Sequence, residues 1–450
     1  MIALLGFYPL WWLLGLGVLI FPIAAVLMAI SLYRQHRRWR VTGEDPVRMP
    51  PGFVLWLLFC LVVVAGIAAL NAEPDGAVAG GFSDRIIGVT YRLVQYASLT
   101  VLLIYAGSQP LRRLSQRRLV LLLAWLFVVT VVGGLLGTFA GHLEMTSPVE
   151  MLLPKSWTGK GFIKSLVHPY AAQLHEIVGD PLPRPAAPWG YTNTWGNNYC
   201  LLMGWFVVAL WKYTNRPLIR AGGAAVLVLS LIPVVHSLNR GLWIGIGAAA
   251  LFLGVRQALA GKARPLIVAV AASGVLAFGT AASPLGDVIE KRLDNGKSNG
   301  VRMFLTERAL AGMQESPVLG FGTTRNTMGG RQSITVGESE GCERCGNFTI
   351  GGNGQLWQLL FAHGLAGTLA YFGFFGYGLW RFRRDRSAIG LAASCAIAGS
   401  FVAALWYNSL VTPLAFTFAA YVLLWRNNMT DVAVEPTVST KTSSAEAGHA

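Results

Sequence analysis

Leu119-Val-Leu-Leu-Leu-Ala-Trp-Leu-Phe-Val-Val-Thr-Val-Val-Gly-Gly-Leu-Leu-Gly-Thr-Phe139 runs without a charged residue, directly after Arg112, Arg113, Arg117 and Arg118. Roughly 20 apolar residues make a helix that crosses about 30 Å of hydrocarbon, and a helix satisfies its own backbone there. Ten further stretches read the same way: 9–33, 52–70, 86–106, 197–212, 221–238, 241–255, 265–283, 355–380, 388–405 and 410–425. All eleven together hold one arginine, Arg92, and no Asp or Glu. Mean hydropathy of +0.52 and only 13% charged residues agree with this class and exclude an ordinary soluble domain. The prediction is an all-α polytopic integral membrane protein of about 11 transmembrane helices.

The positive-inside rule orients it. Alternate connections are short and basic: Arg34, Arg37, Arg38, Arg40 and Arg48; Arg112 to Arg118; Lys212, Arg216 and Arg220; Arg256, Lys262 and Arg264; Arg381 to Arg386. With Arg426 and Lys441 they hold more than half of the 36 basic residues. That face is expected to be cytoplasmic, with the N-terminus outside and the C-terminus inside. No charged n-region precedes the first apolar run and no small-residue cleavage site follows it, so it reads as a retained helix. The expected organisation is helices one to four over 1–139, an external loop over 140–196 and helices five to eight over 197–283. A large external loop over 284–354, helices nine to eleven over 355–426 and a disordered cytoplasmic tail over 427–450 complete it.

The net charge of +15 is therefore mostly topology rather than a nucleic-acid footprint. Basic residues left outside, or within the bilayer, are the informative ones. Arg92 is costly in hydrocarbon and is a functional candidate for that reason. Others include Arg85, Lys155, Lys160, Lys164, Arg184, Arg240, Arg302, Arg308, Arg325, Arg331 and Arg344. Each alone reads as a solvated charge; as a set they point to phosphate or pyrophosphate, which guanidinium grips by a bidentate fork.

Two external segments carry this chemistry. In 140–196, the prolines of Asp180-Pro-Leu-Pro-Arg-Pro-Ala-Ala-Pro188 exclude helix and predict an extended approach to span five. Thr192, Asn193, Asn197 and Asn198 read as caps or sugar contacts. Trp189, Tyr191, Trp195 and Tyr199 read either as an aromatic belt at the headgroups or as stacking platforms for pyranose rings. In 284–354, Leu285, Val288, Ile289 and Leu293 predict a surface helix. A turn over 294–300 and a second helix from Val301 to about Gln314 follow. Arg302 and Arg308, six residues apart, should point about 120° apart on it. The glycine-dense remainder fits close approach to a ligand, or simple flexibility.

These residues carry a resemblance. Asn239-Arg240-Gly241-Leu242-Trp243 at the head of a span resembles the Ser/Asn-Arg-Gly signature of the O-antigen ligase and Wzy-type polymerase superfamily. Arg308 to Gly322 resembles its helix followed by Pro-x-x-Gly-x-Gly, and Gly354 to Gly367 resembles the element closing its large loop. The Asn193 segment is similar to a further Asn motif. The resemblance runs from about 185 to 380, with an actinobacterial flavour. It implies a GT-C-type glycosyltransferase at the outer face of the cytoplasmic membrane, moving a glycan from an undecaprenyl-diphosphate carrier to an acceptor glycan or lipid. It further implies Arg240 on the donor diphosphate, assisted by Arg302 or Arg308; the charges themselves add Arg92 and Arg325 to the same anion site. Asn193, Trp195, Asn197 and Asn353 would meet sugar. Fixed cations there stabilise charge developing on the leaving group. No cofactor or metal is implied, and no Asp-x-Asp lies near the outer face.

One departure matters. Where the family carries His-Asn, this chain has Gly352-Asn353-Gly354, and Asn353 cannot accept a proton. Glu307, Glu315 and His363 remain as candidate bases, with His236 as a positioning residue for Arg240. Cys60, Cys200 and Cys395 read as packing residues. Cys342-Glu-Arg-Cys345 reads first as a small-loop disulfide, next as free thiols and weakly as zinc. The alternative function is a transporter or exporter of an anionic lipid or glycan, then an assembly scaffold. Against transport stand the missing intramembrane carboxylates and the expectation that no helix is broken at mid-depth.

Overall fold

The computed structural model describes residues 1–158, 161–178, 180–262, 267, 296–327 and 348–432. Its principal helices are α1 (Ile20–Thr42), α2 (Phe53–Ala65), α3 (Phe82–Ser108), α4 (Gln116–Phe139), α5 (Thr192–Tyr213), α6 (Pro217–His236), α7 (Arg240–Ala258), α8 (Gly296–Glu315), α9 (Gln355–Arg381), α10 (Ala388–Ala403) and α11 (Thr412–Val432). Five of them, α3, α4, α6, α7 and α9, are long and apolar enough to cross a membrane. Residues 53–69 and α10 are apolar but shorter. The chain is a helical membrane protein. Apart from Ile267, the expected span 265–283 lies outside the described residues, as does the expected helix around Leu285–Leu293.

Polar contacts fix which helix ends meet. Gln35 donates to the Ser108 carbonyl at 3.0 Å, and Arg426 donates to the Ala106 and Leu114 carbonyls at 2.8 and 2.6 Å. The C-terminal ends of α1, α3 and α11 therefore gather beside the basic turns. At the opposite end, the loop end, the heads of α7 and α9 meet the turn between α10 and α11. There, the Gln355 amide donates to the Tyr407 carbonyl at 2.9 Å. Between the two ends lies an aromatic core of Trp56, Phe59, Tyr96, Tyr371, Phe374, Phe375 and Phe418. On α4, a Cβ at Gly133, Gly134 or Gly137 would sit within 2.6 Å of Ala187, Trp195 or Ala171 respectively. Small residues there let the backbones close on one another.

The first expected span is not one helix. Ile2–Gly6 and Tyr8–Leu13 form a broken segment along α4, where Trp125 donates to the Gly6 carbonyl at 3.0 Å. Met1 lies beside Gln109, Arg113 and Leu114. The chain turns through residues 14–19, with Gly15 at φ +79°, and α1 returns. A Cβ on Gly15 would stand 2.2 Å from Ser147 Oγ. Met1 and Arg426 thus lie at the same end, whereas a single first span would separate the chain ends. The uncharged run from Ile2 to Tyr33 folds back on itself, and Gly15-Leu-Gly17 lies at the turn.

Two further differences concern the loops. Residues 172–178 and 180–185 form an antiparallel ribbon, β1 (Ala172–Val178) with β2 (Asp180–Pro185), the extended approach expected from the prolines but paired. And α9 is broken: Gly364 has φ +58° and ψ −163°. Leu365 N donates to the Pro317 carbonyl at 2.7 Å, and Ala366 N to that of Val318 at 3.3 Å. In return, Phe321 N and Gly322 N donate to the Phe361 and Ala362 carbonyls at 3.0 and 2.8 Å. Pro317-Val-Leu-Gly-Phe-Gly322 is a backbone clamp filling the break, and its glycines approach protein backbone rather than ligand. A helix interruption is tolerated in a bundle when the freed groups are satisfied in this way.

Candidate functional site

Arg240 is the first residue of α7, and the residue before it explains why it stands there. Asn239 caps the helix in an extended conformation and is buried. Its Oδ1 accepts from the Tyr407 hydroxyl at 2.6 Å and its Nδ2 donates to the Thr192 carbonyl at 3.3 Å. A Cβ at Gly241 would stand 2.6 Å from the Tyr407 hydroxyl, and one at Gly196 would stand 2.7 Å from Asn239 Nδ2. The Asn-Arg-Gly triplet is thus a cap, a half-buried cation and a gap for Tyr407. Arg240 makes no side-chain hydrogen bond or salt bridge among the described residues.

Arg302, on α8, stands close enough for Arg240's charge to act on it. Burial holds the Arg302 guanidinium below its ordinary value; Tyr407 opposes this and Arg240 adds to it. One guanidinium nitrogen donates to the Trp406 carbonyl at 3.4 Å. Asn353 ties the loop to α8 by donating to the Arg302 carbonyl at 3.3 Å and to Thr306 Oγ1 at 2.9 Å. Its Oδ1 is buried without a partner. From β2, Arg184 reaches the Ser237 carbonyl at 2.7 Å. Burial pushes the Tyr407 hydroxyl up, while Arg302, Arg184 and Asn239 act against it. Arg184 and Arg302 therefore both act on one tyrosine.

A second group lies across Gln355. Arg92 on α3 donates to Thr323 Oγ1 at 2.8 Å and Thr324 Oγ1 at 3.0 Å. Arg325 turns its nitrogens onto the carbonyls of Thr323, Thr324, Phe321, Ala69, Leu70 and Ala72. Burial pushes it down to about 10, with Arg85 and Arg92 adding and Glu73 opposing. Arg85 shares the Leu70 and Ala72 carbonyls. Arg325 is thus a fastener of the 321–325 loop, with only Nε left unpaired, and is poorly placed to grip a diphosphate. Gln355 spans the groups: its Oε1 accepts from Ser409 N at 2.8 Å and its side chain lies beside Tyr96.

Among the described residues, none of Arg92, Arg240, Arg302 or Arg325 has a carboxylate at ion-pair distance. No family model and no curated protein matches this chain. The chemistry of the site rests on its own residues.

Several expected members lie elsewhere. Arg308 packs over the Phe304 ring at 5.4 Å and against Gly76, on a different side of α8 from Arg302. Glu307 is exposed. Of the expected convergence of Arg240 and Arg92 with one or both of Arg302 and Arg308, the contacts group Arg240 with Arg302 and Arg92 with the 321–325 loop, and leave Arg308 apart. Trp195 is fully buried and donates to the Thr130 carbonyl at 2.9 Å; Trp189 and Tyr199 are buried too. They are core, neither belt nor sugar platform, because α5 enters the centre of the bundle. Asn197 is buried against the same centre, whereas Asn193 and Tyr191 are exposed. His236 is exposed, and His363 is buried against Phe59 beside the break in α9. Cys342, Cys345, Arg331 and Arg344 lie outside the described residues. Tyr407, Gln355, Thr323 and Thr324 were missed, having no charge or spacing to mark them.

Proposed function

We propose that the protein is a multi-pass glycosyltransferase of the cell membrane, transferring a glycan from an undecaprenyl-diphosphate carrier to an acceptor glycan or lipid at the loop end. That end would be the outer face, since the opposite turns carry the basic residues. The expected eleven spans would become twelve, with both chain ends cytoplasmic, if residues 1–19 and 265–283 each cross.

One observation carries the reading. Among the described residues Arg240 has no side-chain partner, its charge acts on Arg302, and neither has a carboxylate at ion-pair distance; an anion between two guanidiniums relieves their repulsion. In transfer, the bond from the anomeric carbon to the diphosphate breaks and its electron pair goes to a diphosphate oxygen. A fixed cation at that oxygen acts more strongly on the transition state than on the ground state. Transport is the second reading, favoured by the break in α9. Its freed backbone groups are paired with residues 317–322, which leaves a substrate little to coordinate.

The test is glycan transfer in liposomes by wild type, Arg240→Ala and Arg240→Lys, with undecaprenyl-diphosphate oligosaccharides and extracted acceptors. Loss of about 100- to 1,000-fold in both variants, with folding intact, is expected. Wild type inactive across a broad donor panel would sink the transferase.

A further inference from the structure

On the Arg92 side of the loop end lies a cleft of about 150 Å³. Its lining includes the aromatic rings of Trp12, Tyr91 and Tyr191, which are not buried in the core, and to one side His168. Aromatic faces edged with hydroxyls suit a sugar ring, which has an apolar face and a polar rim. Position favours this as well. Tyr91 immediately precedes Arg92, and the opposite wall, Leu410–Thr412, continues the turn that carries Tyr407. The cleft is thus lined by neighbours in sequence of Arg92 and of the turn that carries Tyr407.

His168 is held as a base is held. It follows the short helix Gly161–Val167, and its amide donates to the Lys164 carbonyl at 2.9 Å. Its Nδ1 stands 2.7 Å from Glu150 Oε2. Glu150 sits in the first turn of Pro148–Leu152, whose cap, Ser147, accepts from Glu150 N at 3.1 Å. The same hydroxyl donates to the Val167 carbonyl at 2.6 Å, so one serine staples the two short helices and sets the His–Glu pair. His168 Nε2 is buried and, among the described residues, has no hydrogen-bond partner. The nearest carboxylate to it, Glu144, is 3.5 Å away on a side chain 71% exposed. A close carboxylate on one imidazole nitrogen, with only the exposed Glu144 side chain at 3.5 Å from the other, is an arrangement that can orient a general base.

We infer that His168 is the general base of the reaction and that this cleft receives the acceptor sugar. The inference rests on the transferase reading and fills the role that Asn353 cannot. In the step, the acceptor hydroxyl gives its proton to His168 Nε2 as its oxygen bonds to the anomeric carbon. The bond from that carbon to the diphosphate breaks, and the electron pair leaves with the diphosphate oxygen toward Arg240 and Arg302. Glu150 steadies the imidazolium, which then returns its proton to water.

The rival reading is a structural clamp, Glu144–His168–Glu150, holding the loop. The experiment compares wild type, His168→Gln, His168→Ala with and without imidazole, and Glu144→Gln in the liposome assay, with thermal unfolding alongside. The expected result is a fall in kcat of about 100- to 10,000-fold in His168→Gln, with donor KM unchanged. Imidazole should restore part of the rate in His168→Ala, and Glu144→Gln should stay near wild type. Equal losses in Glu144→Gln and both His168 variants, matched by lower unfolding temperatures and unmoved by imidazole, would overturn the base in favour of the clamp. Full activity in His168→Gln would remove His168 and leave the transferase standing. An inactive wild type would bring down both.

Discussion

Replacing Gly322 with alanine attacks the clamp that fills the break in α9. Gly322 has φ +73°, where a side chain costs about 1–2 kcal/mol. The new Cβ would stand 2.0 Å from the Gly66 carbonyl oxygen, so backbone must move, at about 1–3 kcal/mol. That shift weakens the 2.8 Å bond from Gly322 N to the Ala362 carbonyl, about 1 kcal/mol more. The expected loss is on the order of 4 kcal/mol, a large part of an ordinary folding free energy. Gly247 is the control: it lies within α7 with nothing within 4 Å of an added Cβ, and alanine there should gain about 0.5–1 kcal/mol. Thermal unfolding of the purified protein in detergent, followed by circular dichroism, compares the two. Gly322→Ala should unfold several degrees lower and also lose transfer, because Thr323 and Thr324 hold Arg92. Unfolding of Gly322→Ala at the wild-type temperature would refute the clamp.

Other outcomes follow from the same geometry. Tyr407→Phe leaves Asn239 Oδ1 buried without its donor and should cost about 1–3 kcal/mol in the same melt, with slower transfer as the cap of α7 loosens. Arg308→Ala, on the Gly76 side of α8, should leave liposome transfer within about two-fold of wild type, since surface changes seldom propagate. Protease protection of tags at residues 1 and 450 should report the same face for both; opposite faces would contradict the position of Met1 beside Gln109 and Arg113.

What was legible in the sequence follows from the range of the forces involved. The stretch 119–139 declares a helix because hydrocarbon leaves its backbone no other solution, and α4 covers it. Ile2–Tyr33 is just as apolar, but hydropathy counts residues and not passes; Gly15 was the signal for the turn. Arg240 was visible as a cation following a cap residue at the head of a span. Its surroundings were not: Tyr407 comes from a turn far along the chain, and Arg184 from a proline-rich strand. Trp195 was misplaced because tryptophan at a span's head favours the headgroups, while α5 buries that head between α4 and α7. His168 and Glu150 lie 18 residues apart and touch directly where Ser147 joins their two short helices.

The most direct measurement is binding of undecaprenyl diphosphate to the purified protein by native mass spectrometry, for wild type, Arg240→Ala, Arg302→Ala and Arg308→Ala. Saturable binding by wild type and Arg308→Ala, weakened about ten-fold or more in the other two, is predicted, since a charge-assisted contact contributes about 1.5–3 kcal/mol. Equal binding by all four would contradict a diphosphate site at Arg240 and Arg302.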